Sequence, residues 1–227
     1  MILKIDYIGH SAFFIHTDVN KGLLIDPFIT GNPKAIFDFT DKEISEIFVT
    51  HGHSDHLGDA IQIARAKQVP IYTVFELANY CAQKGAFATG LNIGGKFDFN
   101  WGWVKFLPAF HSNSTPEGGY AGMPSSILFN IGGTKIYHAG DNSLNSEMKL
   151  IGDVYKPDIA CLPVGSCYTM DVQDAVIAAK WLGVKTVIPM HYNTFDAINV
   201  DTNLLFNAFN NENISISILK PGESFEL

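Results

Sequence analysis

The segment THGHSDHLGD, residues 50–59, places three histidines and one aspartate within six positions. These residues are His51, His53, Asp55 and His56. An apolar run, residues 44–50, leads into them, and residues 59–68 then show the apolar spacing of a helix. A loop between a strand and a helix can gather several ligand-type side chains, so this order favours a metal site. The alternative is a polar turn in which the histidines are incidental.

The side-chain types limit the kind of metal that such a loop could bind. His51 and His53 are two positions apart, so on extended backbone they point to the same side. Neutral imidazole together with carboxylate suits zinc, manganese, iron or cobalt. No cysteine stands near the segment. The sequence therefore disfavours a purely structural zinc site made of thiolates.

Three further ligand-type residues each follow an apolar, strand-like run. His111 lies in PAFHS, Asp141 in HAGDN and His191 in IPMHY. A single histidine at a strand end is more often packed or solvated than a ligand, because one hydrogen-bond partner satisfies it. Three such strand ends beside a dense histidine cluster weaken that explanation, and we expect them to converge on the cluster.

The rest of the chain alternates between strand-like and helical patterns. Strands are predicted at residues 3–8, 12–16, 22–26, 44–50, 71–74, 96–108, 126–131, 134–138, 159–164, 186–190 and 214–219. Helices are predicted at residues 59–68, 76–84, 145–154, 171–182 and 202–210. This order predicts an α/β (α+β) fold, a four-layer αββα sandwich of two mixed sheets with helices outside. Without a linker or low-complexity segment, residues 1–227 are expected to form one domain.

Composition excludes several classes of partner. The net charge is -8, which argues against a surface built to bind nucleic-acid polymers or anionic lipid. No segment predicts a membrane span, and the first residues do not resemble a signal peptide. The three cysteines lack CxxC spacing, so we expect reduced thiols and a cytoplasmic protein.

These motifs together resemble the metallo-β-lactamase superfamily. Its H-x-H-x-D-H motif corresponds to residues 51–56, and its later single-ligand motifs correspond to His111, Asp141 and His191. Its early aspartate motif corresponds to Asp26 in LLIDP. Within the superfamily, GHSAF, AGD and PMHYNTF resemble a branch of metal-dependent hydrolases related to ascorbate-6-phosphate lactonases. The resemblance covers nearly the whole chain.

The resemblance implies two divalent metal ions, with zinc expected first and manganese or iron as alternatives. One ion would be bound by His51, His53 and His111, and the other by Asp55, His56 and His191. Asp141 would bridge them, and Asp26 would support the ligands from behind. Two such cations can share a hydroxide and polarise a carbonyl or phosphoryl oxygen, which implies hydrolysis. Oxidative diiron relatives have an acidic residue at the position of His53, so histidine there favours hydrolysis.

Three residues are candidates for moving protons. Asp55 could orient the hydroxide or accept its proton in addition to binding metal. His10 in GHSAF and His138 in YHAGD are candidate donors to the leaving group. For His138 the alternative is a packed residue, because on a regular strand it would face away from Asp141. For His10 the alternative is an ordinary residue at a strand end.

The function predicted first is hydrolysis of a small anionic ester, lactone or cyclic phosphate. A nuclease or phosphodiesterase of the same fold is the alternative, although neither length nor charge leaves room for an arm that grips RNA. A metal-binding module without turnover is the third possibility, and it predicts an incomplete ligand set. The polar, glycine-rich residues 111–124 are expected either to rim the site or to form a solvated connection. An aromatic patch around Trp101 and Trp103 is compatible with a homo-oligomer.

Overall fold

The computed structural model describes residues 3–17 and 21–227, and within them the chain forms two seven-stranded sheets. The first sheet has the order β14-β1-β2-β3-β4-β5-β6 and the second the order β13-β12-β11-β10-β9-β8-β7. The first contains β1 (Lys4–Gly9), β2 (Ala12–His16), β3 (Lys21–Ile25), β4 (Glu43–Phe48), β5 (Ile71–Val74), β6 (Ala88–Leu91) and β14 (Ser224–Glu226). The second contains β7 (Lys96–Phe99), β8 (Gly102–Pro108), β9 (Ser125–Ile131), β10 (Thr134–His138), β11 (Ile159–Pro163), β12 (Thr186–Met190) and β13 (Ser215–Ile216).

Helices cover the outer face of each sheet. They are α1 (Ser54–Leu57), α2 (Ala60–Lys67), α3 (Phe75–Gln83), α4 (Glu147–Tyr155), α5 (Val172–Leu182) and α6 (Thr202–Asn210). Helices α2 and α3 contact the first sheet, and α5 and α6 contact the second, with α4 packed on α5. Helix α5 shows why these segments fold locally: Asp171 caps its first turn, and Gly183, with φ +69°, ends it. The structure therefore has the four-layer sandwich that the sequence predicts.

The core lies between the sheets, and aromatic side chains connect them. The ring of Phe48 on β4 meets that of Phe129 on β9 edge-on, with centroids 5.1 Å apart. Both side chains are completely buried. Strand β9 is buried at six of its seven positions, as expected for a central strand covered on both faces.

The strand directions bring the functional ends of both sheets to one edge. Strand β2 is antiparallel to β1 and β3, and β4 is parallel to β3, so β1, β3 and β4 end together. In the second sheet β8 and β10 are both antiparallel to β9, while β11 and β12 are parallel to β10. Strands β8, β10 and β12 therefore end together at one edge of their sheet.

The structure corrects several predicted elements. The predicted strand at residues 96–108 is the hairpin β7–β8, which turns at residues 100–101. The predicted closing strand, residues 214–219, is paired only over Ser215–Ile216. Strands β6 and β14 were not predicted, and Asp55 and His56 lie in the short helix α1 instead of a loop. Trp101 stacks on Phe99 with centroids 4.6 Å apart and is only half exposed, so self-assembly through this patch stays a prediction.

Candidate metal centre

Sharp turns at strand ends aim the ligand-type side chains into one space between the two sheets. His10, Asp26 and His191 directly follow β1, β3 and β12 and have φ values of +59°, +42° and +55°. This left-handed region is unfavourable for side chains other than glycine and is common where function requires it. Gly140, before Asp141, also has φ +59°. The backbone at this edge therefore leaves the strand direction at each of these positions.

The first group of converging side chains contains His51, His53 and His111, whose ligand atoms lie within 4.8 Å of one another. The Nε2 atom of His51 is 3.0 Å from Nδ1 of His53. His51 is buried, whereas His53 and His111 are half-buried and open this side of the site to solvent. Three imidazoles at this spacing form the predicted first ligand set.

The second group contains His10, Asp55, His56 and His191, again with ligand atoms within 4.8 Å of one another. The Nε2 atom of His191 is 3.8 Å from Oδ2 of Asp55. The predicted second set is thus brought together, and His10 joins it. The sequence reasoning did not place His10 in this group.

Asp141 lies between the two groups. Its Oδ1 is 3.0 Å from Nε2 of His56, and its Oδ2 is 3.1 Å from Nε2 of His191 and 3.5 Å from Nε2 of His111. The same Oδ2 is 4.0 Å from Nε2 of His51. The carboxylate therefore faces both groups, as a bridging ligand would.

Several buried atoms at this point lack hydrogen bonds. His56 Nε2, Asp141 Oδ1 and His191 Nε2 are among the buried side-chain atoms of the described residues without a hydrogen-bond partner, because the contacts of the two histidines with Asp141, at 3.0 and 3.1 Å, lack hydrogen-bond geometry. Buried polar atoms without partners are costly and rare, and here three face a common space. Imidazole nitrogen and carboxylate oxygen are a suitable donor set for a divalent transition metal ion. The residues present fit such ions.

The negative charge of the carboxylates at the centre also favours the binding of cations. Burial would raise the pKa of Asp141, but His56 and His191 hold that pKa well below its ordinary value. Burial would lower the pKa of His191, but Asp141 and Asp55 outweigh it and raise the pKa to about 9. The carboxylates are therefore ionised, and protons on histidines or metal ions have to balance them.

Asp26 and Thr50 support the ligand-type residues from behind. The completely buried Asp26 accepts from Nδ1 of His56 at 2.7 Å, from the Thr50 hydroxyl at 2.7 Å and from the Thr50 backbone N–H at 2.8 Å. The Thr50 hydroxyl is also 3.0 Å from Nδ1 of His51. Such contacts fix the tautomer of a ligating histidine and leave its other nitrogen free. Sequence reasoning missed Thr50, although it directly precedes the motif.

His10 is buried between two partners. Its Nε2 is 3.1 Å from Oδ2 of Asp55, and its Nδ1 is 2.9 Å from the hydroxyl of Thr194. Burial lowers the pKa of His10 to about 4, so the ring is neutral at pH 7 and carries one N–H. The carboxylate can only accept, so Nε2–H donates to Asp55, and the Thr194 hydroxyl donates to Nδ1 in preference to the Tyr192 carbonyl 3.4 Å away. Sequence reasoning missed Thr194, which lies in the quoted PMHYNTF.

His138 is bound on both ring nitrogens to the backbone. Its Nε2 donates to the carbonyl of Ser11 at 3.0 Å, and its Nδ1 accepts from the N–H of Gly140 at 3.2 Å. The side chain is buried against Phe13, with ring centroids 5.6 Å apart. These contacts connect the sheets and disfavour the predicted proton transfer by His138, which stays a prediction.

The segment after His111 is hydrogen-bonded to the histidine motif. The side chain of Asn113 accepts from the N–H of Gly52 at 2.7 Å and donates to the carbonyls of Ala121 and Gly122. A Cβ on Gly52 would lie 2.6 Å from the carbonyl oxygen of Ser114, so this close approach requires glycine. The segment therefore rims the site, the first of its two predicted roles.

Comparisons with known proteins agree with this architecture. The chain is 45% identical over 229 residues to a UPF0173 metal-dependent hydrolase of Geobacillus thermodenitrificans, with 99% of this chain and 100% of the relative covered. It is similar to Igni18, a metallo hydrolase from Ignicoccus hospitalis, with TM-score 0.90, 34% identity and coverage of 100% and 99%. The metallo-β-lactamase fold protein YhfI from Bacillus subtilis has a TM-score of 0.76 at 17% identity, with both chains fully covered.

Fold, site and relatives define a metal-dependent hydrolase with the metallo-β-lactamase fold. The family model of the β-lactamase superfamily domain matches residues 4–191, and the chain belongs to that superfamily. Among the described residues, no helix has the length and apolar character needed to cross a membrane.

Proposed function

We propose that the chain binds two divalent cations and hydrolyses a small ester, lactone or cyclic phosphate. His51, His53 and His111 would hold one ion and Asp55, His56 and His191 the other, with Asp141 between them. The proposal is carried by the partnerless buried atoms of His56, His191 and Asp141 that face one space. Zinc suits this mixed set of nitrogen and oxygen donors, with manganese or iron as alternatives.

When bound, two divalent cations supply Lewis-acid activation of a water molecule and of the oxygen that gains charge during hydrolysis. The chain provides the groups that position and move protons around them. Asp55 is partly exposed. Burial would raise its pKa, but His10 and His191 hold that pKa far below the ordinary value, so the carboxylate is ionised. Its Oδ1 can orient a water molecule by accepting a hydrogen bond while His10 holds Oδ2 in place, and its low pKa disfavours the predicted proton transfer. His10 thereby acts as a positioning residue.

Two aromatic side chains flank the buried ring of His10. The rings of Phe28 and Phe195 have centroids 5.7 and 5.6 Å from that of His10 and 6.4 Å from each other. They would limit water near the reacting bond and offer an apolar contact to a small substrate.

The free thiols of Cys81, Cys161 and Cys167 support the proposal that the enzyme works in the cytoplasm.

A panel of lactones, esters, cyclic phosphates and linear phosphodiesters tests the proposal. Purified protein is assayed as isolated, after chelation, and after addition of zinc, manganese or iron. We expect turnover of a lactone, ester or cyclic phosphate that chelation abolishes and one of the metals restores. Turnover of linear phosphodiesters alone would favour the phosphodiesterase. Two bound metals without any turnover would favour the metal-binding module.

A further inference from the structure

A cleft of about 470 Å³ is lined by residues of both sheets at the edge opposite the proposed metal centre. The ligand-type residues follow the ends of β4, β8, β10 and β12, whereas this cleft lies where β3 and β8 begin. A volume of this order accommodates a small molecule. The residues that line it are Thr17, Lys21, Ser45, Glu46, Phe99, Asn100 and Trp101.

Two buried polar atoms of the cleft lack partners. Oε2 of Glu46 and Nε1 of Trp101 are both among the buried side-chain atoms of the described residues without a hydrogen-bond partner. A carboxylate can only accept and an indole N–H can only donate. Buried polar atoms without partners are costly and rare, and here an acceptor and a donor line one cleft. This pair favours a ligand that donates to Glu46 and accepts from Trp101.

An irregularity in β4 sets the position of Glu46. Gly22 of β3 pairs with Ile44 and the next residue, Leu23, pairs with Glu46, so Ser45 is an extra residue in β4. The Ser45 hydroxyl donates to the carbonyl of Gly22 at 3.1 Å and holds this bulge in place. Bulges change the direction of nearby side chains and are common beside functional sites. The local backbone is therefore built around Glu46 in a way that regular pairing would not allow.

Aromatic packing fixes the indole of Trp101. Its ring stacks on Phe99 with centroids 4.6 Å apart and meets Phe48 edge-on at 6.4 Å. Phe48 is completely buried between the sheets. Contacts on two sides hold the indole N–H in one direction, and the stacked rings give the cleft a rigid apolar wall.

The cleft carries charges of both signs. Glu46 supplies a carboxylate, and within the described part of the chain it forms no ion pair with a lysine or arginine. Lys21 supplies an ammonium group to the same cleft. A molecule with a protonated amine and a carboxylate matches this wall, because its amine can donate to Glu46 while its carboxylate accepts from Trp101 and faces Lys21. Hydrogen bonds between charged groups are among the strong ones.

We propose that Glu46, Trp101 and Lys21 bind a small amino acid in its zwitterionic form. The cleft shares no residue with the groups of metal-ligand side chains and lies at the other edge of the sheets. The bound amino acid is therefore not the substrate of the metal centre, and the proposal does not depend on the proposed hydrolysis.

The test follows the indole N–H signal of Trp101 by NMR in zinc-loaded, ¹⁵N-labelled protein. The chain has three tryptophans, and Trp101→Phe identifies the signal. Each of the common amino acids is titrated, and the one that binds most tightly is compared with the amine that lacks its carboxylate and with the acid that lacks its amine. Glu46→Gln is compared with the matched control Glu226→Gln, an exposed glutamate on β14 outside the cleft.

We expect at least one amino acid to shift the Trp101 signal to saturation, and both analogues with a single charge to bind about tenfold more weakly or worse. Glu46→Gln should weaken binding by a similar factor, because a hydrogen bond between charged groups is lost. The control variant should match the wild type. Since Glu46 Oε2 has no partner within the chain, Glu46→Gln should leave the melting temperature unchanged or raise it.

No shift of the Trp101 signal with any amino acid would refute the proposal and leave the cleft to water. Equal affinity in Glu46→Gln and the wild type would also overturn it, as would equal affinity for either analogue with a single charge. A marked fall in the melting temperature of Glu46→Gln would contradict it too, because Glu46 would then be a structural residue.

Discussion

At the scale of single residues, Asp55 fixes the tautomer of His10, and Thr194 satisfies its other ring nitrogen. A neutral imidazole is a donor at one nitrogen and an acceptor at the other. The Asp55 carboxylate can only accept, so the N–H stays on Nε2, and the Thr194 hydroxyl, 2.9 Å away, satisfies Nδ1. Without that hydroxyl, the buried Nδ1 loses its partner and the ring is held less firmly against Asp55.

Replacement of Thr194 by Val should therefore lower kcat by about tenfold or more while leaving metal content near wild type. Thr194→Ser keeps the hydroxyl and should restore the rate. Thr186→Val, at the opposite end of β12 from His191, is the control. Wild-type kcat in the Val variant would show that the contact of Thr194 with His10 does not matter for turnover.

His138 is expected to stabilise the fold without taking part in proton transfer. His138→Ala leaves the carbonyl of Ser11 without its donor, which should cost about 1–3 kcal/mol of unfolding free energy. Denaturant unfolding measures that loss, and kcat per bound metal should stay the same across pH. A hundredfold loss of kcat in a folded, metal-loaded variant would instead make His138 the proton donor.

The convergence of the seven ligand-type residues could be predicted from sequence because each stands in a short motif. Their supporting residues could not, since the contacts join distant parts of the chain. Thr194 and His10 are 184 positions apart, and Asn113 and Gly52 are 61 apart. Threonine and asparagine are common in ordinary turns, and nothing local distinguishes these two.

At the scale of elements, the turn from β10 to Asp141 depends on glycine. Gly140 has φ +59°, and a Cβ there would lie 2.7 Å from the Ser125 carbonyl oxygen and 3.1 Å from Cβ of Thr50. Gly132, in the turn between β9 and β10, has the same φ, but a Cβ there would meet nothing within 4 Å. Comparing alanine substitutions at the two positions therefore distinguishes the cost of the left-handed backbone from the cost of steric crowding.

Gly132→Ala should cost only the left-handed strain, about 1–2 kcal/mol. Gly140→Ala should cost more and should also reduce metal content, because the backbone before Asp141 must move. Unfolding experiments and metal analysis on both variants test this. Equal stability losses with full metal content in both would show that the turn tolerates the extra atom.

Central elements were predictable, whereas edge elements were either missed or predicted with the wrong bounds. Strands Ala12–His16, Ile71–Val74 and Thr186–Met190 match their predicted bounds, because their apolar patterns reflect burial. Strand β6, with the sequence ATGL, is only half-buried and lies at a sheet edge, so it has no such pattern. At Gly102, with φ +150°, a Cβ would overlap the carbonyl oxygen of Asn130, and a tertiary contact of this kind is not visible locally.

At the scale of the whole molecule, the proposed metal centre joins the two sheets. The H-x-H-x-D-H residues follow β4 of the first sheet, whereas His111, Asp141 and His191 follow β8, β10 and β12 of the second. Ions bound by both sheets would stabilise the folded chain relative to the unfolded one.

Chelation should therefore lower the melting temperature, and excess metal should restore it. At a free metal concentration of roughly 100 times Kd, one site would contribute about 2.7 kcal/mol to the free energy of unfolding. Differential scanning calorimetry with and without chelator measures the shift. An unchanged melting temperature after verified metal removal would show that the ions do not connect the sheets.

Metal analysis of Asp141→Ala against the wild type tests the central claim most directly. Asp153→Ala, which removes an exposed carboxylate on α4, is the matched control. The wild type and the control should each hold two divalent ions per chain, and the Asp141 variant at most one, with hydrolysis lost. Two ions in the Asp141 variant, or none in the metal-loaded wild type, would contradict the dinuclear centre.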